Sequence, residues 1–320
     1  MKWLKKGLIF NPAQHALPGN YIGFAQSPQT LVFDNFVRVY FSTRKKEELT
    51  GKYLSYIAFA DFDKNFTKIL NISSQNVIQL GEPGSFDEHG IFPINILRHS
   101  SKIFAYTCGW SRRVSVPVET STGIAFSDDD GVTFKKPGTG PVLTSSLHEP
   151  FLVGDSFVQF YENSFHMWYI FGKNWAPAKG NEPPARIYKI AHATSHDGIN
   201  WIKEEGRQII IDILNEEECQ ALPTVTRIGN RYHMYFCFRE ATDFRKNTNR
   251  AYRLGYAWSD DLVNWTRDDA NAGITVSETG WDSEMMCYPH IFQSDGKVYL
   301  LYNGNEFGKH GFGIAELDTN

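Results

Sequence analysis

Apolar and polar residues alternate along this chain in short runs, and no stretch sustains the 3.6-residue period of an amphipathic helix. The pattern therefore predicts strands separated by turns. One phrase recurs, an apolar strand followed by a polar turn and an aromatic residue. It reads YIAFADFDKNFT from Tyr56, GIAFSDDDGVTF from Gly123, IAHATSHDGINW from Ile190 and LGYAWSDDLVNW from Leu254, and a shortened copy, GFGIAELD, begins at Gly311. The alanines Ala58, Ala125, Ala193, Ala257 and Ala315 mark the repeat, with spacings of 67, 68, 64 and 58 residues. Each copy is preceded by a second strand rich in aromatic and β-branched residues: VRVYFSTR from Val37, KIFAYTCGW from Lys102, FHMWYIFGKNW from Phe165, RYHMYFCFRE from Arg231 and KVYLLYNGN from Lys297. Turn residues separate the runs, and Ser127, Asp129, Gly131, Phe134, Ser195, Asp197 and Trp201 read as structural parts of tight turns. A repeated unit of this length with three or four short strands has the size of a propeller blade. The expectation is an all-β, five-bladed β-propeller filling residues 1–320 as one domain. The opening stretch KWLKKGLIF is expected to supply the last blade's missing outer strand and so close the ring.

Composition narrows the class. With 42% apolar and 15% aromatic residues, the 320-residue chain can bury a large core, which excludes intrinsic disorder. A net charge of −4 without any basic block argues against a nucleic-acid partner. No apolar run is long enough to span a bilayer, and MKWLKKGLIFNPAQ lacks a signal-peptide core, so a cytoplasmic location is expected. Four dispersed cysteines (Cys108, Cys219, Cys237, Cys287) suggest neither a zinc site nor a disulfide framework. No P-loop, HExxH or strand-borne GxGxxG occurs.

Antiparallel pairing brings the start of each first strand and the end of each second strand to one opening. Carboxylates gather at the strand starts: Asp87 and Glu88, Glu149 and Asp155, Glu217 and Glu218, Asp282 and Glu284. The first repeat instead carries Gln26. Like charges in a cleft raise one another's pKa and so allow an acid and a base to coexist; alternatively, these carboxylates pin neighbouring blades by hydrogen bonding. The second-strand ends bring Arg44, Arg112, Arg113, Lys173, Arg239 and Asn303 to the same rim. These suit an anion, since guanidinium forks bind phosphate or carboxylate through paired hydrogen bonds, or they pair with the nearby carboxylates. Trp110, Trp175 and Tyr288 offer faces for a sugar, and His290 lies beside them as a further polar contact.

These phrases and strand-start carboxylates resemble the five-bladed propeller glycoside hydrolases of families 32, 43, 62 and 68, and the related mannoside phosphorylases of family 130. The resemblance runs over nearly the whole chain. It implies cleavage of a glycosidic bond in a small or anionic saccharide, with a carboxylate general acid in the central funnel. Glu218, in EECQALP, resembles the general acid, and Asp155 resembles the aspartate that tunes it. Gln26 departs from the pattern, because an aspartate base or nucleophile is expected there. Asp87, Glu88 or Glu284 is then the expected second carboxylate. The alternatives are a phosphorylase or glycosyl-transfer enzyme, in which phosphate attacks the sugar and Arg44, Arg112 and Arg239 hold it, or a propeller that binds a glycan without catalysis. No cofactor is expected. Hydrolases of this kind sometimes place a cation such as calcium in the channel, but no ligand cluster in this sequence is specific for one. The expected partner is an oligosaccharide or other small molecule.

Overall fold

In the computed structural model, which describes residues 1–318, the chain is built almost wholly of strands. The first strand is β1 (Trp3–Phe10). Four meanders follow: β2 (Gln26–Val32), β3 (Phe36–Lys46), β4 (Tyr53–Asp63) and β5 (Ile69–Ile72); β6 (Gly90–His99), β7 (Lys102–Arg112) and β8 (Val118–Ser127); β9 (Val153–Tyr161), β10 (Ser164–Ala176), β11 (Ala185–Ser195) and β12 (Ile202–Lys203); and β13 (Glu218–Ile228), β14 (Arg231–Glu240), β15 (Arg253–Ser259) and β16 (Thr266–Arg267). The last meander is β17 (Cys287–Ser294), β18 (Lys297–Asn303) and β19 (Phe312–Leu317), and β1 pairs antiparallel with β19 as its fourth strand. The N-terminal strand thus completes the last sheet as expected from the sequence. Pairing yields four sheets, because the first two meanders are linked by one parallel residue pair, Ser55 with Gly90. Among the described residues no helix is long and apolar enough to cross a membrane.

The innermost strands pack in cyclic order: β2 on β6, β6 on β9, β9 on β13, β13 on β17, and β17 back on β2. Apolar residues fill the spaces between sheets. Phe10, Phe41, Phe62 and Phe312 form one such cluster, and Leu97, Tyr106, Val158 and Tyr169 belong to another. Each second strand buries a tyrosine that finds an acceptor. Tyr40 donates to the Gly131 carbonyl and Tyr106 to that of Gly198, so the Ser-Asp turns dock on the preceding meander. Glycine is required at both places. Each has positive φ, and a Cβ at Gly131 would lie 2.3 Å from the Tyr40 hydroxyl. Within the turns Asp129 and Asp197 accept backbone hydrogen bonds, matching their reading as structural.

Every inner strand breaks register at the same place. The slips lie between Gln26 and Gln29, Ile91 and Ile94, Gly154 and Phe157, Ala221 and Thr224, and Cys287 and His290. Pro28, Pro93, Pro223 and Pro289 fall within four of these slips, where a missing N–H is tolerated. Ser27, Asp155, Leu222 and Tyr288 adopt left-handed φ of +50° to +57° beside them. A bulge re-aims the side chain it carries, and here it turns Asp155 and Tyr288, with Phe92 of the second meander, towards the cavity described next.

Candidate active site

The starts of the first and third strands and the ends of the second strands surround one opening, lined as a cavity of about 550 Å³. Its floor is formed by Gln26, Cys108, Asp155 and Ala221, and its walls by Trp110, Tyr188, Tyr252, Phe24, Phe92 and Tyr288. Arg44 lies near the end of β3, Arg186 is the second residue of β11, and Arg245 comes from the loop of residues 241–252; all three line the cavity. Glu306, Phe307 and Lys309, from the turn Asn305–Gly308 and the residue after it, close the mouth.

Asp155 is the one buried carboxyl among the described lining residues. Burial pushes its pKa up to about 7, against the opposing charge of Arg186 and a hydrogen bond from the Leu222 N–H. A carboxyl pKa raised towards neutrality suits a group that must give a proton and take it back. Among the described residues Arg44, Arg186 and Arg245 make no salt bridge. Burial pulls the Arg44 guanidinium below its ordinary value, and the charges of Arg245 and Arg186 pull the same way. Three cations thus share one concave space. The second lining carboxylate, Glu306, is half-exposed and bound to Lys309 and His310, which hold it below the usual carboxylate range. The hydroxyls of Tyr188 and Tyr252 lie 2.8 Å apart, and burial pushes both up, as it does Tyr288, leaving neutral groups able to bond sugar oxygens.

Of the residues singled out from the sequence, Arg44, Trp110, Asp155 and Tyr288 line the cavity. Glu218 does not. It is fully buried in a pair with Arg267 at 2.5 Å, and its oxygens also accept from the N–H groups of Ile213 and Leu214 and from Gln220. Both of its oxygens are thus occupied. Three more carboxylates sit in the same way: Asp87 with Lys136, Glu149 with Lys203, and Asp282 with Lys5 at 2.7 Å. In each case a carboxylate leading into a first strand meets a cation from the outermost part of its own sheet. The first meander has a neutral counterpart, Tyr21 donating to Asn76. These are clasps within one sheet, not the bonds between neighbouring blades offered as the alternative from the sequence.

Glu88 pairs with His89 and accepts from the Gly84 N–H, while the Glu284 side chain is exposed; neither lines the cavity. Arg112 is tied to Glu47 and the Tyr53 carbonyl, and its guanidinium lies 5.9 Å from the Trp110 ring. Arg239 is buried behind the wall and reaches it through the Tyr188 hydroxyl at 2.9 Å. Lys173 is exposed, and Trp175 packs on the core. Asn303 bonds the Ser27 N–H and the carbonyls of Ala25 and Gly311. His290 lies buried on β17, outside the cavity lining and bonded to Thr30, where burial pushes it down to about 3. Among the described residues no group of three or more His, Cys, Asp or Glu side chains gathers. All four cysteines are free and buried.

Sequence reasoning missed Arg186, Tyr252 and Arg245. It followed first-strand starts and second-strand ends, yet second and third strands are also antiparallel, so third-strand starts reach the same opening. Arg186 opposite Trp175 is an example.

No family model matches the chain. The uncharacterized protein Rv1502 of Mycobacterium tuberculosis is 30% identical over 322 residues, covering all of both chains. This chain belongs to the family of that protein. A β-1,2-mannobiose phosphorylase of a Thermoanaerobacter species is 32% identical over 107 residues, 32% of this chain and 33% of the phosphorylase. Among solved structures, a glycoside hydrolase superposes with a TM-score of 0.73 at 17% identity over 99% of this chain and 92% of its own. A thermostable family-43 glycoside hydrolase gives 0.66 at 13% over 96% and 93%. A Bombyx mori family-32 β-fructofuranosidase gives 0.59 at 14% over 93% and 61%. The fold is that of the β-propeller glycoside hydrolases of families 43 and 32.

Proposed function

We propose that this protein breaks, or in reverse forms, a glycosidic bond by phosphorolysis, with Asp155 as the single protein group that moves the proton. In this reading a phosphate oxygen attacks the anomeric carbon while the bond from that carbon to the leaving oxygen breaks. Asp155 gives its proton to the leaving oxygen and remains as a carboxylate facing Arg186. Arg44, Arg186 and Arg245 hold the phosphate, Trp110 and Tyr288 face the sugar, and the Tyr188–Tyr252 pair bonds its hydroxyls. The observation that carries the reading is the pairing of one buried carboxyl in the cavity lining, with a pKa of about 7, with three guanidiniums that have no salt bridge among the described residues. Hydrolysis by two carboxyls needs a second one across the scissile bond, and Glu306 is instead committed to Lys309 and His310. The partial likeness to a mannobiose phosphorylase supports the same class.

The same proposal takes the ring as five-bladed. The seven-stranded sheet divides at the lone Ser55–Gly90 pair into two meanders, and the five inner strands touch in cyclic order.

The test is to incubate the protein with a panel of disaccharides, with and without inorganic phosphate, and to assay sugar 1-phosphate. The reverse reaction, phosphate release from sugar 1-phosphates in the presence of acceptor sugars, extends the panel. Phosphate-dependent turnover that Asp155→Asn and Arg186→Met both abolish is expected. Release of free sugar at an equal rate without phosphate, undiminished in Arg186→Met, would overturn phosphorolysis.

A further inference from the structure

Gln26 occupies the floor of the cavity and is all but fully buried. Its amide is used at both ends. Oε1 accepts from Arg44 Nε at 2.9 Å, and Nε2 donates to the Phe307 carbonyl at 2.5 Å. Those two bonds reach the two sides of the anion-facing surface. On one side, Nε is the only guanidinium nitrogen of Arg44 with a protein hydrogen bond among the described residues, so its two Nη groups remain free to bond an anion. The ring centroids of Phe24 and Tyr53, at 5.0 and 5.8 Å, flank the same guanidinium.

On the other side lies a strained turn. Glu306, Phe307 and Gly308 are consecutive left-handed residues, with φ of +55°, +57° and +81°. A bulky residue there is strained and persists only when its surroundings hold it. The holders come from the start of the first meander: the Ala25 N–H donates to the Gly308 carbonyl at 2.9 Å, and Gln26 to that of Phe307. The turn sets the Phe307 ring against Phe244, with centroids 5.9 Å apart, and under the Arg245 guanidinium, 4.7 Å from its centroid.

We infer that Gln26 is a positioning residue that aims two of the three arginines, Arg44 directly and Arg245 through the Phe307 turn. The inference rests on the phosphorolytic reading for what the arginines hold. The amide is chemically specific for this task, because it accepts from a guanidinium and donates to a carbonyl at once. A carboxylate would keep the Arg44 bond, cancel its charge, and set a negative oxygen against the Phe307 carbonyl. An aliphatic side chain would lose both bonds.

The experiment uses Gln26→Glu and Gln26→Met in the full-length chain, with two readouts. The first is amide hydrogen exchange of residues 304–310, which needs no ligand; at least a tenfold acceleration is expected in both variants, with the rest of the ring unchanged. The second is titration with inorganic phosphate, where at least tenfold weaker binding is expected for Gln26→Glu. Unchanged exchange overturns the inference. So does accelerated exchange with unchanged phosphate affinity, since that would be a structural role only. If the wild type binds no phosphate, the phosphorolytic reading fails by itself, and the exchange data still decide whether Gln26 holds the turn.

Discussion

Asp155 is held in a left-handed bulge, against the Leu222 N–H and near Arg186, and burial outweighs both favourable contacts. A raised carboxyl pKa means that the folded state holds the proton more tightly than the unfolded chain does. The stability this contributes is fully present below the ordinary Asp pKa of about 4 and is lost as pH rises through about 7. Asp155→Asn, which cannot ionise, escapes that loss. Its Tm is therefore expected to exceed the wild type's by more at pH 8 than at pH 5, as measured by thermal denaturation across that range. The same change should lower turnover by roughly 10²–10⁴-fold, the usual contribution of a positioned acid. The wild-type rate in the proton-donating direction should fall as pH rises through about 7. A stabilised variant that has lost activity would separate this residue from the clasp carboxylates. Little of this was legible beforehand. The sequence marks Asp155 as one of several strand-start carboxylates, and only the bulge, which turns it into an enclosed cavity while its neighbours turn away, distinguishes it from them.

The same residue type has a different fate where an outer strand supplies a cation. Glu218 and Arg267 are both essentially unexposed, and Arg267 also pairs with Asp269 at 2.9 Å, so it is removal of Arg267 that strands a buried charge, a loss of about 3–5 kcal/mol. Arg267→Met is accordingly expected to shift the denaturant midpoint strongly downward, and Glu218→Gln, which leaves Arg267 its Asp269 partner, to shift it less, both leaving turnover per folded molecule intact. The double change Glu218→Gln with Arg267→Met should recover most of the Arg267→Met loss, since it removes the stranded carboxylate. If Glu218→Gln kept full stability and lost turnover, Glu218 would return as the proton donor. The repeat made the strands, the Ser-Asp turns and the common opening readable from sequence, because each is local and periodic. The clasps were not, because their partners are distant: Arg267 lies 49 residues beyond Glu218, and Lys203 lies 54 beyond Glu149. An inward carboxylate looks the same in sequence whether it meets a substrate or an outer-strand lysine. The third-strand contribution, Arg186 above all, was hidden for a related reason, since its neighbours Pro184 and Ala185 carry no chemical signal.

At the scale of the ring, β1 ties together parts of the chain remote in sequence. Trp3 donates to the Tyr235 hydroxyl at 2.8 Å, Lys5 clasps Asp282, and Phe10 packs on Phe41, Phe62 and Phe312. Six residue pairs join it to β19, whose edge would otherwise be open to pairing with another chain. Burial of Trp3 and Phe10 contributes about 1.5–3 kcal/mol each, and stranding Asp282 costs about 3–5 kcal/mol. Together these rival the whole margin of about 5–15 kcal/mol that holds a typical domain folded. A chain lacking residues 1–10 is therefore expected to be unfolded or aggregated at 25 °C, as read by near-UV circular dichroism and sedimentation. Because the missing strand binds only the folded ring, a peptide of residues 1–10 added in excess should restore the signal, with Tm rising with the logarithm of peptide concentration. A truncated chain that melts at the wild-type temperature would mean that the ring is held by its inner strands alone. Lys5→Met in the full chain supplies the milder case: it keeps the strand and removes only the clasp, so its Tm should fall between those of the intact and shortened chains.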